Sequence, residues 1–250
     1  MEKQIHLAAQ YLAAAAISFI DKREDDSHTN FGFDTDNGTL STHVFSENKD
    51  RLVLNYQKFT LDWISLSDNI SFRLDGATHQ QIIKWISKIS QKFLNKIYEY
   101  KFHYNLPYPI YDDFIFKLNN IGKFHDLMHL RIFTQFALER ILIDNSFKSP
   151  IRIWPHHFDT GVYEQLPNSD ISIGLGLAIP DDICDEHYLY VSGYKGGKNI
   201  ETSNFQKLEI GEWRNETFKG AIIPAKTLIE SEAVQFFQGA INNYKNIKTK

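Results

Sequence analysis

Sulfur is scarce in this chain: one cysteine, Cys184, and two methionines serve 250 residues. A lone cysteine closes no internal disulfide. It also excludes four-cysteine zinc sites, cysteine-ligated iron–sulfur clusters and C-x-x-C redox chemistry. A bound metal would have to be held by nitrogen and oxygen, so the ten histidines become the residues to explain. Turn formers are few as well, with 13 Gly and 7 Pro against a combined average near 12%, which argues against disorder and long linkers. Basic clusters are missing too. The 27 Lys and Arg are scattered among 31 Asp and Glu, and the formal net charge is −4. The one basic run is the tail Lys245, Lys248 and Lys250, read as a frayed end. A nucleic-acid footprint is therefore not expected.

No apolar run is long enough to cross a bilayer, which takes about 20 residues. The most apolar stretch, Tyr11–Ile20, follows a segment carrying Glu2 and Lys3 and stops at the charged Asp21–Asp26. It reads as the Ala-rich core helix of a cytoplasmic protein rather than a signal peptide, and no membrane partner is expected. What the chain has in quantity is aromatic residues, with 19 Phe, 12 Tyr and 4 Trp. Such side chains anchor an ordered core.

Helical periodicity predicts four long helices. The first covers 3–20, with Ile5, Ala9, Leu12, Ala13, Ala16 and Ile20 on one stripe. The second opens at Ala77 or Thr78 with Ile82, Ile86, Ile89, Phe93 and Ile97 inward. The third covers 121–144 with a stripe of Leu130, Phe133, Phe136, Ala137, Leu138 and Ile141, and the last covers 225–244. Alternation predicts strands at 39–45, 51–56, 59–64 and 71–74, then at 151–154, 158–163, 171–178, 188–192 and 219–223, while 22–38 reads as loop. Runs of strands between helices predict an α+β fold of mostly antiparallel sheet with the long helices on one face. The length suits a single compact domain, 1–250. The repeated element order further predicts a pseudo-duplicated α-β-β-β-α unit. Its halves would be 1–103 and 114–250, with a seam near 104–113 at Pro107 and Pro109.

Three polar clusters could carry chemistry. In Trp154-Pro-His-His-Phe-Asp159, an extended backbone would put His157 and Asp159 on one face and His156 and Phe158 on the other. His157 with Asp159 could ligate a metal or form a carboxylate-oriented base. A hydrogen-bonded structural pair is the plainer alternative. Asp25-Asp-Ser-His28 gathers two carboxylates and an imidazole in a loop, where function often sits; as cap and turn residues they would also be ordinary. Asp181, Asp182 and His187 follow a strand end and could form a rim, or a solvated turn.

Other motifs are weaker. His125-Asp-Leu-Met-His129 has the i, i+4 spacing of a zinc-protease helix, but Asp126 stands where that motif needs Glu, and no third ligand is identifiable. His129 is expected to border the core. Gly174-Leu-Gly176 lacks the third glycine and the following helix of a dinucleotide fingerprint, so these glycines read as room for a neighbouring backbone or ligand.

The segments Asp25-Asp-Ser-His-Thr-Asn30, Trp154–Asp159, Ile173-Gly-Leu-Gly176 and Tyr188-Leu-Tyr190, with His6 and Gln10 on the opening helix, resemble an uncharacterised bacterial family carrying a domain of unknown function. That resemblance implies no reaction.

The resulting expectation is one His/Asp-rich polar site where the 25–28 loop meets the 156–159 segment. Its catalytic candidates are His157, Asp159 and Asp26, and its ligand-binding candidates Trp154, His156, Asp25, His28 and Tyr190. A divalent metal (zinc, manganese or iron) would sit on His157, Asp159 and His28, supporting metal-assisted hydrolysis; a polar small molecule is the other occupant. Two alternatives stay open. One is a non-catalytic binding module whose aromatic pocket uses Trp63, Trp154, Tyr163, Tyr188 and Tyr190. The other is an interaction protein forming a homodimer through a sheet edge or the first helix.

Overall fold

The computed structural model describes residues 2–106 and 108–247. Pro107 of the expected seam and Lys248 and Lys250 of the basic tail lie outside the described residues. The fold is α+β with two antiparallel sheets. The chain divides into two compact units, Met1–His129 with Ile153–Phe158, and Leu130–Arg152 with Asp159–Lys250. The division falls inside a helix, and segment 104–113 lies within the first unit. That helix runs on because no glycine or proline interrupts 123–149. Among the described residues no helix is long and apolar enough to cross a membrane.

The first unit opens with α1 (Glu2–Phe19). Every residue from Ile5 to Ala16 is buried, not just one stripe. A helix this apolar all round sits inside the core, so it offers no free face for dimerisation. Five strands follow: β1 (Gly32–Asp34), β2 (Thr39–Ser41), β3 (Arg51–Asn55), β4 (Thr60–Ile64) and β5 (Asn69–Arg73). They form an antiparallel meander in chain order. β1 falls in the stretch expected to be loop. Leu40, Leu52, Leu54, Leu61 and Trp63 alternate onto one face and are fully buried. Trp63 therefore cannot line a pocket; its indole N–H donates to buried Asp50 at 2.8 Å.

Helix α2 (His79–Leu94) opens on a reciprocal capping box. The Gln81 N–H donates to Thr78 Oγ1, and the Thr78 N–H donates to Gln81 Oε1. Asn95, left-handed at φ 51°, ends the helix. The stripe therefore breaks before Ile97, which is 76% exposed, and Tyr98 takes the inward place.

Helix α3 (Ile121–Asn145) gives its first nine residues to this unit and the rest to the second. Its buried side is Phe124, Met128, Arg131, Thr134, Ala137, Leu138 and Ile141, while Phe136 is 44% exposed. His125, Asp126 and His129 face outward. His129 thus does not border the core.

A two-residue strand, β6 (Arg152–Ile153), stands at the division. The second unit's sheet runs β11 (Glu212–Asn215), β12 (Lys219–Pro224), β9 (Tyr188–Lys195), β8 (Ile171–Ala178), β7 (Thr160–Gln165), with β10 (Lys198–Asn199) hairpinned on β9. Leu175, Leu177, Leu189 and Val191 pack with Leu138 and Ile141 of α3 and with Phe236, Phe237 and Ile241 of α4 (Glu230–Lys245). Helices thus cover one face of this sheet. Both units order helix, strands, helix. The first is a simple meander, however, whereas the second inserts β10 and β11 between neighbours β9 and β12.

Candidate functional site

The loop after α1 is built by short-range bonds. Asp25 Oδ1 accepts the Ser27 N–H at 3.0 Å, and the Asp26 carbonyl accepts both the N–H and the hydroxyl of Thr29. Asp26 adopts φ 55°, a left-handed conformation that Asp tolerates better than most residues. From below, His43 Nε2–H reaches the Ser27 carbonyl at 3.1 Å and Asn30 Oδ1 at 2.9 Å. The loop is thus held rigid, and its imidazole is fixed in turn. His28 Nδ1 accepts the Arg23 N–H at 3.3 Å, which leaves the proton of a neutral ring on Nε2. Burial lowers the His28 pKa from the ordinary imidazole value; Asp26 opposes this, and His103, Arg23 and Lys22 reinforce it.

Opposite the loop runs the chain beyond α2. Lys96 Nζ donates to the Phe19 carbonyl at 2.8 Å, closing the C-terminus of α1. Ser18 and Glu99 are joined by the Glu99 N–H to Ser18 Oγ bond at 3.0 Å. From there the side chains alternate: Tyr98 is buried, while Ile97, Glu99, Lys101 and His103 line a cleft of about 550 Å³. Ile17, Ile20 and Phe102 extend its apolar wall, and Lys22 and His28 its polar one. His103 Nε2 lies 3.1 Å from Asp26 Oδ2. The other oxygen, Asp26 Oδ1, is buried without a hydrogen-bond partner. Two imidazoles and one carboxylate therefore meet at one end of the cleft.

The 154–158 segment is a turn, so the extended backbone that would have put His157 and Asp159 on one face is not formed. The Phe158 N–H donates to the Trp154 carbonyl at 2.7 Å, and Phe158 sits at φ 58°, unfavourable for a bulky residue. Surrounding contacts impose this shape. His6 Nε2–H and Gln10 Nε2–H both donate to the Pro155 carbonyl, at 2.9 and 2.8 Å, and the Phe158 ring stacks on His6 at 4.6 Å. His6 and Gln10 can do this together because i, i+4 residues share a helix face. The face-sharing of His157 and Asp159 is lost with the extended backbone. His156 and His157 instead stand exposed, with ring centroids 4.3 Å apart. Tyr104 joins turn and loop: its ring lies 5.8 Å from that of His156 and 5.3 Å from that of His103, and its hydroxyl donates to Gln10 Oε1 at 2.7 Å.

Trp154, His156, His157, Asp25, Asp26 and His28 thus belong to the first unit, and Asp159 and Tyr190 to the second. There the Tyr190 hydroxyl donates to Asp159 Oδ2 at 2.7 Å, and burial first, then Asp159, pushes the Tyr190 pKa up. Asp181 is a turn residue: it accepts the Tyr188 hydroxyl and the Ile183 N–H, both at 2.8 Å. Among the described residues no three His, Cys, Asp or Glu side chains are gathered closely enough to hold a metal ion.

His43 and His103 were not singled out in the sequence. The signal for His103 was weak: an imidazole in an aromatic run, with its carboxylate partner far away in the chain. No family model matches this chain, and neither a curated protein nor a solved structure matches it.

Proposed function

We propose that the protein binds a polar small molecule in the cleft beside α1, with acid–base groups placed to act on it. One observation carries this reading: His28 and His103 line the same cleft of about 550 Å³, with Asp26 against His103. That volume is typical of small-molecule sites. A neutral His103 that turns Nε2–H toward Asp26 keeps a lone pair on Nδ1, the arrangement of a carboxylate-oriented base. His28 presents Nε2–H as a donor, kept neutral near pH 7 by burial. The pair can accept one proton and supply another. A metal on His28, His157 and Asp159 has no comparable support, because no three-ligand group is gathered among the described residues.

The test is imidazole-observed NMR of the full chain against a panel of small carboxylates, phosphates, amino acids and sugars. We expect at least one compound at millimolar concentration to move the His28 and His103 signals together, and His103→Ala to abolish the response. A panel that moves neither ring, or only His156 and His157, overturns the reading. Elemental analysis, with His157→Ala as control, checks the metal alternative independently.

A further inference from the structure

We infer that the ligand of this cleft is an amphipathic anion: a single carboxylate or phosphate head on a short acyl or aryl body. The inference rests on the small-molecule reading above and deepens it. It follows from how the lining is sorted along the cleft.

Residues 97, 99, 101, 102 and 103 all line the cleft, with Tyr98 buried beneath them, so the chain follows one wall in sequence order. Ser18 is bonded to Glu99, and Asp26 is paired with His103. One end of the wall is therefore Ile97 and the other is His103, with Lys101 beside it. An extended chain rises about 3.3 Å per residue, so these ends are separated by roughly 20 Å at most.

Lys101, Lys22 and His28 line the cleft with one carboxylate, Glu99, and Lys22 and His103 are both near enough to His28 to lower its pKa. Asp26 holds His103 through Oδ2 and keeps its own negative charge, which the two lysines outnumber at this end. Positive donors at a cleft focus anions there. At the other end Ile97 stands 76% exposed because Asn95 breaks α2 before it can join the core. Ile17 and Ile20 also line the cleft and add apolar surface. An apolar body laid on it removes Ile97 from water, while an ion with no body leaves it exposed.

The experiment measures binding of acetate, butyrate, hexanoate and octanoate, all kept monomeric, to the full chain, again by the His28 and His103 signals. Octylammonium and octanol are the controls. A fully buried methylene tightens binding up to about fourfold. In this open cleft octanoate should exceed acetate by on the order of a hundredfold. Ile97→Ser should flatten that dependence on chain length. Lys101→Gln should weaken every carboxylate by a similar factor. Both residues are exposed, so neither variant threatens folding. Equal affinity across the series, or octylammonium binding as well as octanoate, overturns the amphipathic anion, even if a sugar or amino acid moving both rings keeps the small-molecule reading. Silence from every compound overturns both. Cosedimentation with phosphatidylglycerol vesicles without any response to free octanoate would assign the surface to a membrane and also overturn the inference.

Discussion

Asp50 and Asp62 are two carboxylates of one unit with opposite circumstances. Asp50 is 1% exposed, accepts the Trp63 indole N–H at 2.8 Å and accepts the Ser46 hydroxyl at 2.5 Å. Asp62 is 7% exposed, and its Oδ1 is buried with no hydrogen-bond partner; Thr60 Oγ1, on the same face of β4, is in the same state. Burying a polar group costs free energy unless the lost water bonds are replaced. Asp62 stands directly between Val53 and Ser71 in the register. Asp62→Val places two valines opposite each other and removes the unpaired group. We expect it to raise stability by about 1 kcal/mol. Asp50→Val should lower stability by about 2 kcal/mol, because it leaves the Trp63 N–H buried without an acceptor. Urea midpoints of the two variants, read against wild type, should shift in opposite directions. A loss of stability in Asp62→Val would show that the carboxylate is engaged.

At the scale of elements, the close approach of β7 and β8 depends on one glycine. A Cβ at Gly176 would lie 1.9 Å from the Thr160 carbonyl oxygen and 2.8 Å from the Gly161 Cα, both fixed backbone. Gly174, on the same strand, would meet nothing closer than the Ser192 hydroxyl at 3.3 Å. Gly176→Ala should therefore cost about 3 kcal/mol or more, and Gly174→Ala about 1 kcal/mol or less. Thermal melts of the pair decide it, and equal effects would refute it. Here the sequence was informative, since a glycine at strand spacing signals room for another backbone. The helices and the antiparallel sheets were equally legible, because both rest on local hydrophobic period. What was not legible depended on backbone reversals or distant contacts. Ile97 continued the α2 pattern, yet a left-handed Asn95 turned it outward. The 154–158 segment lay between two expected strands and could have been extended, but His6 and Gln10 grip the Pro155 carbonyl of a turn there. The Asp25–His28 cluster pointed to one edge of the cleft. Its partner His103 carried no local pattern, because that pair exists only after α2 has brought residue 103 back to the loop.

At the scale of the whole molecule, the histidines are unevenly shared. Nine of the ten lie in the first unit and only His187 in the second. Among the nine, His28 and His79 have lowered pKa values, with burial the largest cause in each. His79 shares a 2.6 Å hydrogen bond with the Tyr11 hydroxyl and feels Asp112 as an opposing charge. For a histidine whose folded pKa is lowered, the unfolded chain takes up the proton first as pH falls. Folding stability is then fully present above the ordinary imidazole value near 6.5 and declines below it, until the folded form is protonated as well. The decline should be confined to the unit that contains both groups. Hydrogen exchange measured at about pH 7.5 and about pH 5.5, corrected for intrinsic rates, should show protection falling in α1, α2 and β1–β5 while β7–β9 and α4 hold theirs. His79→Gln and His28→Gln should each flatten the change in the first unit. Uniform loss of protection across both units would mean that they unfold together, and would place the acid sensitivity outside these two imidazoles.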